Sequence, residues 1–134
     1  MHDITKVELS KYRLEKSKET LATAKRDLAA EDYAPANNRA YYSVFHAMRA
    51  VLALDGEDYK KHSAVIARFT LLYLKPEIIP REFGKLIYNA SLIRNKSDYE
   101  DFYICSIEDT KKLVSGAEQF YECIKNYLQT QYDS

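Results

Sequence analysis

The chain has 134 residues, 46% of them hydrophobic and 30% charged, with three glycines, three prolines, twelve tyrosines and no tryptophan. That length suits one domain burying about two-thirds of its unfolded surface, and the scarcity of glycine, proline and β-branched runs excludes a turn-rich sheet protein in favour of an all-α one. Twenty basic residues balance twenty acidic ones, which argues against a bulk polyelectrolyte binder.

No apolar run approaches the roughly 20 residues that span a bilayer. Asp3, Lys6 and Glu8 stand where a signal peptide would be apolar, so a soluble, cytoplasmic protein off the membrane is expected. Cys105 and Cys123, on one continuous helix rising about 1.5 Å per residue, would lie roughly 27 Å apart. A disulfide tolerates about 7 Å between Cα atoms, so free thiols and a reducing compartment are expected. The charge is uneven: residues 60–96 carry eight basic and two acidic groups, residues 97–134 three and eight. Two explanations fit, matched helix faces inside the fold or a basic surface that meets nucleic acid or an acidic partner.

In chain order, Ile4 to about Ala30 predicts a helix with Leu14, Ser17, Leu21, Ala24 and Leu28 on one face. Glu31-Asp32-Tyr33 interrupts it, and Pro35 suits the first turn of a second helix, where a missing N–H costs nothing. That helix runs to Leu54 and stops at Asp55-Gly56. A third starts near His62-Ser63, with Ser63 as N-cap, and turns Val65, Ile66, Phe69, Leu72 and Tyr73 inward. Pro76 and Pro80 bracket a connector. A fourth helix follows from Arg81, burying Phe83, Leu86, Ile87, Ala90 and Ile93, and leads into a polar, tyrosine-rich segment. Ser106, three residues before Asp109, has the spacing of a capping box and opens a last helix burying Ile107, Leu113, Val114, Ala117, Phe120, Tyr121, Ile124 and Leu128. Three long helices and two shorter ones with short loops make an antiparallel up-and-down helical bundle, one domain over residues 1–134.

The second helix organises the candidate site. Tyr41, Phe45, Met48 and Leu52 form an apolar stripe widened by Val44 and Val51, and Arg39, Tyr42, His46 and Arg49 run beside it at spacings of three and four. Either these amphipathic side chains cover a helix seam with their polar ends in water, or they hold an anion such as phosphate, which suits arginine forks and imidazole donors. Arg94 continues the Ile87-Ala90 line and emerges at the edge of a buried face, where a charge wants a partner. Gly56, Gly84 and Gly116 are too scattered for a phosphate loop. His2, His46 and His62 lack metal-ligand spacing, and neither cysteine has a histidine near it in sequence. No metal and no cofactor are therefore expected. A polar set of Arg39, Tyr42, His46, Arg49, Arg94, Asn95, Asp98, Tyr99 and Tyr103 is left. If the fourth helix ends against the second, Arg94 would approach Arg39 and His46 around a phosphodiester. Arginine would then stabilise charge on phosphorus, and His46 or a tyrosine would move a proton.

Asn38-Arg39-Ala40-Tyr41-Tyr42 with Phe45-His46-Ala47, then Lys61-His62-Ser63, then Arg94-Asn95 through Ser97-Asp98-Tyr99 to Phe102-Tyr103, resemble the small standalone HEPN-domain proteins along nearly the whole chain. The resemblance implies a helical bundle that pairs into a homodimer, made beside a minimal nucleotidyltransferase as a toxin-antitoxin pair. Many HEPN proteins are metal-independent ribonucleases that use an arginine followed, after four to six intervening residues, by histidine. Arg94 and Asn95 match the start of that motif, but Tyr99 stands where the histidine is expected and nothing from Lys96 to Tyr103 is histidine. A phenol with a pKa near about 10 is a poor proton shuttle at neutral pH. Arg39 and His46 have the spacing on a different helix. The resemblance thus points to a module that binds a nucleotide or RNA in a basic, tyrosine-lined cleft without cutting it. The alternative is a metal-independent endoribonuclease using Arg94 with His46 or Tyr99. A third role for Tyr99 or Tyr103 is to accept a nucleotide from the partner.

Overall fold

The structure, a computed structural model, describes residues 3–99 and 106–134, without the side chains of 97–99. Five α-helices follow one another: α1 (Ile4–Ala29), α2 (Tyr33–Leu54), α3 (His62–Phe69), α4 (Phe83–Tyr99) and α5 (Ile107–Tyr132). A π-helical turn, Thr70–Leu74, prolongs α3, and Lys75 N donates to Thr70 O at 2.9 Å. The described residues contain no strand, and the all-α bundle is the one expected. None of the described helices is long and apolar enough to cross a membrane.

The bundle is assembled around α2, which packs against α1 most extensively and also against α5, α4 and α3. Its sequence explains this position. The stripe of Tyr41, Val44, Phe45, Met48, Val51 and Leu52 is buried, and so are Ala36, Ala40, Ala47, Ala50 and Ala53 around it. A helix apolar on nearly every side has to sit inside.

Small residues set how closely α1 approaches. Ser10, Ser17 and Ala24 recur every seven residues on α1, as do Ala36, Ser43 and Ala50 on α2, and all six are buried. Ser17 Oγ donates to Ser43 O at 2.7 Å, Ser43 Oγ donates back to Ser17 O at 3.0 Å, and Ser10 Oγ donates to Ala50 O at 2.7 Å. Each hydroxyl therefore finds a carbonyl across the seam, which removes the penalty of burying it. The hydroxyl of Tyr132, in the last turn of α5, reaches Ser10 Oγ at 2.6 Å and ties a third helix to the seam.

Helix ends follow local chemistry with two exceptions. Ser106 caps α5 by accepting from Asp109 N at 3.3 Å, and Gly56, with φ +77, closes α2 in the left-handed conformation that glycine adopts without strain. The first exception is α3, whose N-cap is Lys61 and not Ser63; docking of the His62 ring against α2 sets the start instead. The second is α4, which begins at Phe83 and not Arg81; a turn brings Phe83 N to Pro80 O at 3.1 Å, and Arg81 folds back to donate to Lys75 O at 2.7 Å. Cys105 lies outside the described residues. Cys123 is a half-buried free thiol on α5, its pKa pushed up by burial.

Candidate functional site

At the corner where α2 meets the start of α3 and the later part of α4, four side chains converge. The Tyr41 hydroxyl and His62 Nδ1 are 2.6 Å apart in a hydrogen bond. The His62 ring stacks on Phe45 with centroids 4.1 Å apart, lies 5.6 Å from the Tyr41 ring and meets Tyr42 edge-on at 5.8 Å. Arg94 brings its guanidinium carbon to 5.3 Å from the Tyr41 ring centre and 5.8 Å from that of Tyr42. One cation and one imidazole thus share the same two phenol rings, a cation-π arrangement worth about 0.5–2 kcal/mol.

Burial decides the protonation of this corner. It pushes the Tyr41 phenol up to about 12, against the opposing pull of Arg94 and Ser91, so Tyr41 stays a neutral phenol. Burial also lowers the pKa of His62, with the positive charges of Arg94 and Arg49 adding to it. His62 is accordingly a neutral imidazole at neutral pH.

A second group lies on the α1 side of Tyr42. Arg39, Tyr42 and His46 line an open groove with Lys16, Glu19, Thr20 and Thr23 of α1. His46 is half-buried, and its pKa is driven down to about 4, first by desolvation and then by Lys16, Arg49, Arg13 and His62. It offers hydrogen bonds to a ligand at neutral pH but no positive charge. Nearby, Arg49 and the buried Arg13 share one carboxylate, donating to Asp58 at 2.7 Å and 3.0 Å. The Arg49 hydrogen bond is the main reason the Asp58 carboxyl titrates below its ordinary range.

Of the residues singled out in the sequence, the structure brings Arg94 and Tyr42 together, in the company of Tyr41 and His62. Arg39 and His46 face α1, Arg49 is engaged by Asp58, and Asn95 is exposed on α4. Tyr103 and the side chains of Asp98 and Tyr99 lie outside the described residues. His62 was not among the candidate site residues, although Lys61-His62-Ser63 is one of the segments shared with the HEPN proteins; its place at a helix start hides the contact with Tyr41. Among the described residues, no three His, Cys, Asp or Glu side chains gather as metal ligands would.

A family model, the HEPN domain, matches residues 10–127. A Thermotoga maritima protein named "UPF0332 protein" is 29% identical over 124 residues, covering 92% of this chain and 94% of that one. Two Methanocaldococcus jannaschii proteins also match. "Putative toxin MJ0605" is 31% identical over 115 residues, covering 86% and 85% of the two chains, and "Putative toxin MJ0142" is 29% identical over 123 residues, covering 92% and 83%. With that match running from the second turn of α1 to the last turns of α5, the chain belongs to the HEPN domain family.

Proposed function

We propose that this chain is a toxin-like HEPN module that holds an RNA strand by its phosphodiester backbone at the corner of Tyr41, Tyr42, His62 and Arg94. The observation that carries this reading is the Arg94 guanidinium over two tyrosine rings, a forked and permanently charged donor beside the buried ring of Tyr41 and the partly exposed ring of Tyr42, a surface of the kind on which bases stack. Among the described residues near it, Arg13, Arg49, Lys16 and Arg39 outnumber Asp58 and Glu19, a surplus that would draw a polyanion to the corner and along the α1 groove. The names of the two Methanocaldococcus jannaschii relatives support the toxin setting. The family resemblance supports a cytoplasmic homodimer paired with a minimal nucleotidyltransferase, with Asn95, Asp98, Tyr99 and Tyr103 as further contacts next in sequence to Arg94.

A second reading, a metal-independent endoribonuclease, is favoured by the imidazole that the fold sets beside Arg94. Binding is tested first, by fluorescence anisotropy with a 2′-O-methyl RNA that lacks the nucleophilic hydroxyl. Arg94→Ala weakens that binding about tenfold through loss of one charge-assisted contact. Equal affinities for parent and variant, or no binding by the parent, would sink the reading.

A further inference from the structure

We infer that His62, oriented by Tyr41, is the proton-transferring group of this site and stands in for the histidine missing after Arg94. The inference rests on the phosphodiester-binding reading above and assigns a reaction and a residue to it. Three observations support it. His62 comes from a different helix than Arg94, yet both lie against the rings of Tyr41 and Tyr42. Its Nδ1 is engaged by the Tyr41 hydroxyl at 2.6 Å, which leaves Nε2 as the ring nitrogen for a substrate. Its ring is fixed by stacking on Phe45 at 4.1 Å, so a reacting group would meet it in one orientation.

His46, the other described histidine, sits on α2 and meets the Tyr42 and Phe45 rings at 6.1 Å in tilted arrangements, without the close stacking of His62. It faces the α1 groove with Lys16 and Arg39.

The chemistry balances without a metal or a redox partner. The ribose 2′-oxygen forms a bond to phosphorus as its proton passes to Nε2 of His62, whose Nδ1–H donates to the Tyr41 oxygen. The bond between phosphorus and the 5′-oxygen breaks, and its electron pair leaves with that oxygen, which takes a proton from water. The products are a 2′,3′-cyclic phosphate and a 5′-hydroxyl, and the imidazolium returns its proton to solvent. Arg94 stabilises the charge that builds on the non-bridging oxygens. His62 is a catalytic residue in this scheme, and Tyr41 is a positioning residue that fixes its tautomer.

The experiment compares full-length parent, His62→Gln and Tyr41→Phe in EDTA, with single-turnover cleavage of labelled RNA and anisotropy of the 2′-O-methyl strand measured side by side. His62→Gln lowers the cleavage rate about a hundredfold, the size of a general-base contribution, while the affinity stays within about threefold because Arg94 is intact. Tyr41→Phe keeps the ring and removes only the hydroxyl, so it loses about tenfold in rate and less than about threefold in affinity. It tests the same contact should His62→Gln lose its helical circular-dichroism signal. Cleavage at the parental rate by either folded variant, or a parent that binds RNA and leaves it whole, overturns the role of His62 and lets the binding reading stand. A parent that does not bind removes both.

Discussion

In the α1–α2 seam, the buried hydroxyls of Ser10, Ser17 and Ser43 are neutral and donate to backbone carbonyls, whereas the corner at Tyr41 gathers a guanidinium, an imidazole and two phenols. Both regions use α2. One edge of that helix is consumed in holding the fold, with small side chains and saturated hydrogen bonds. The other edge carries a buried phenol at Tyr41 and partly exposed polar groups at Tyr42, His62 and Arg94, which a rigid frame can hold in place for a ligand. The difference shows how one helix can serve two purposes: stability comes from the side with no charge, and the proposed recognition uses the side that gathers the charged and aromatic groups.

The largest effect is expected from breaking the seam. Ser17→Leu inserts a bulky side chain where two backbones approach and removes a bond to Ser43 O, at a cost of about 3 kcal/mol. Urea denaturation measures it, and a loss under about 1 kcal/mol would mean the seam is looser than described. Next comes His46, which lies between the two regions. The unfolded chain binds its proton near 6.5 and the folded chain near about 4. The unfolded state therefore holds more protons across that window, and stability falls as pH drops through it, by about 2 kcal/mol after allowance for partial exposure. His62, also lowered, adds in the same direction. Denaturation at pH 7 and pH 4.5 would show His46→Gln flattening this acid limb; an unchanged slope would contradict it.

The smallest effect sharpens the comparison from the charged side. Asp58→Asn releases Arg13 and Arg49 from their shared carboxylate, which is more than half exposed at the side chain. Stability falls by under about 1 kcal/mol, as for surface pairs, while RNA binding at low salt tightens about twofold to threefold and the gain fades at high salt. Unchanged binding at both salt levels would show that these arginines do not contribute to the field at the corner.

The helices and much of the core are legible in the sequence because they follow from local rules. The apolar stripe of α2, the Ser106 cap of α5 and the stop at Gly56 each need only a few neighbouring residues to specify them. The seam was half legible: Ser17 and Ala24 read as part of an inward face, but the seven-residue repeat shared by α1 and α2 shows its meaning only when the two helices are antiparallel. The corner was less so. Arg94 reads as the edge of a buried face, yet nothing local says that Tyr41 and His62 will be its neighbours and that Arg39 and His46 will turn to α1. The start of α3 shows the same limit, because contacts of the His62 ring with Phe45 and Tyr41 outweigh the capping preference of Ser63. The π-helical turn after Phe69 has no sequence signature that we recognise.

The serines of the seam also act as an index. A seven-residue repeat of small side chains would accept α1 in more than one position along α2, each shifted by about 10 Å, or two helical turns. Only the observed position lets Ser17 and Ser43 exchange hydrogen bonds while Ser10 donates to Ala50 O and meets the Tyr132 hydroxyl, and a slipped helix would part these pairs and lose the tie to α5. The same choice places Arg13 at Asp58 and Lys16 beside Arg39 and His46. Uncharged hydroxyls thereby determine where α1 delivers its positive charge, and a substitution in the seam is able to rearrange the electrostatic surface of the protein without touching a charged residue.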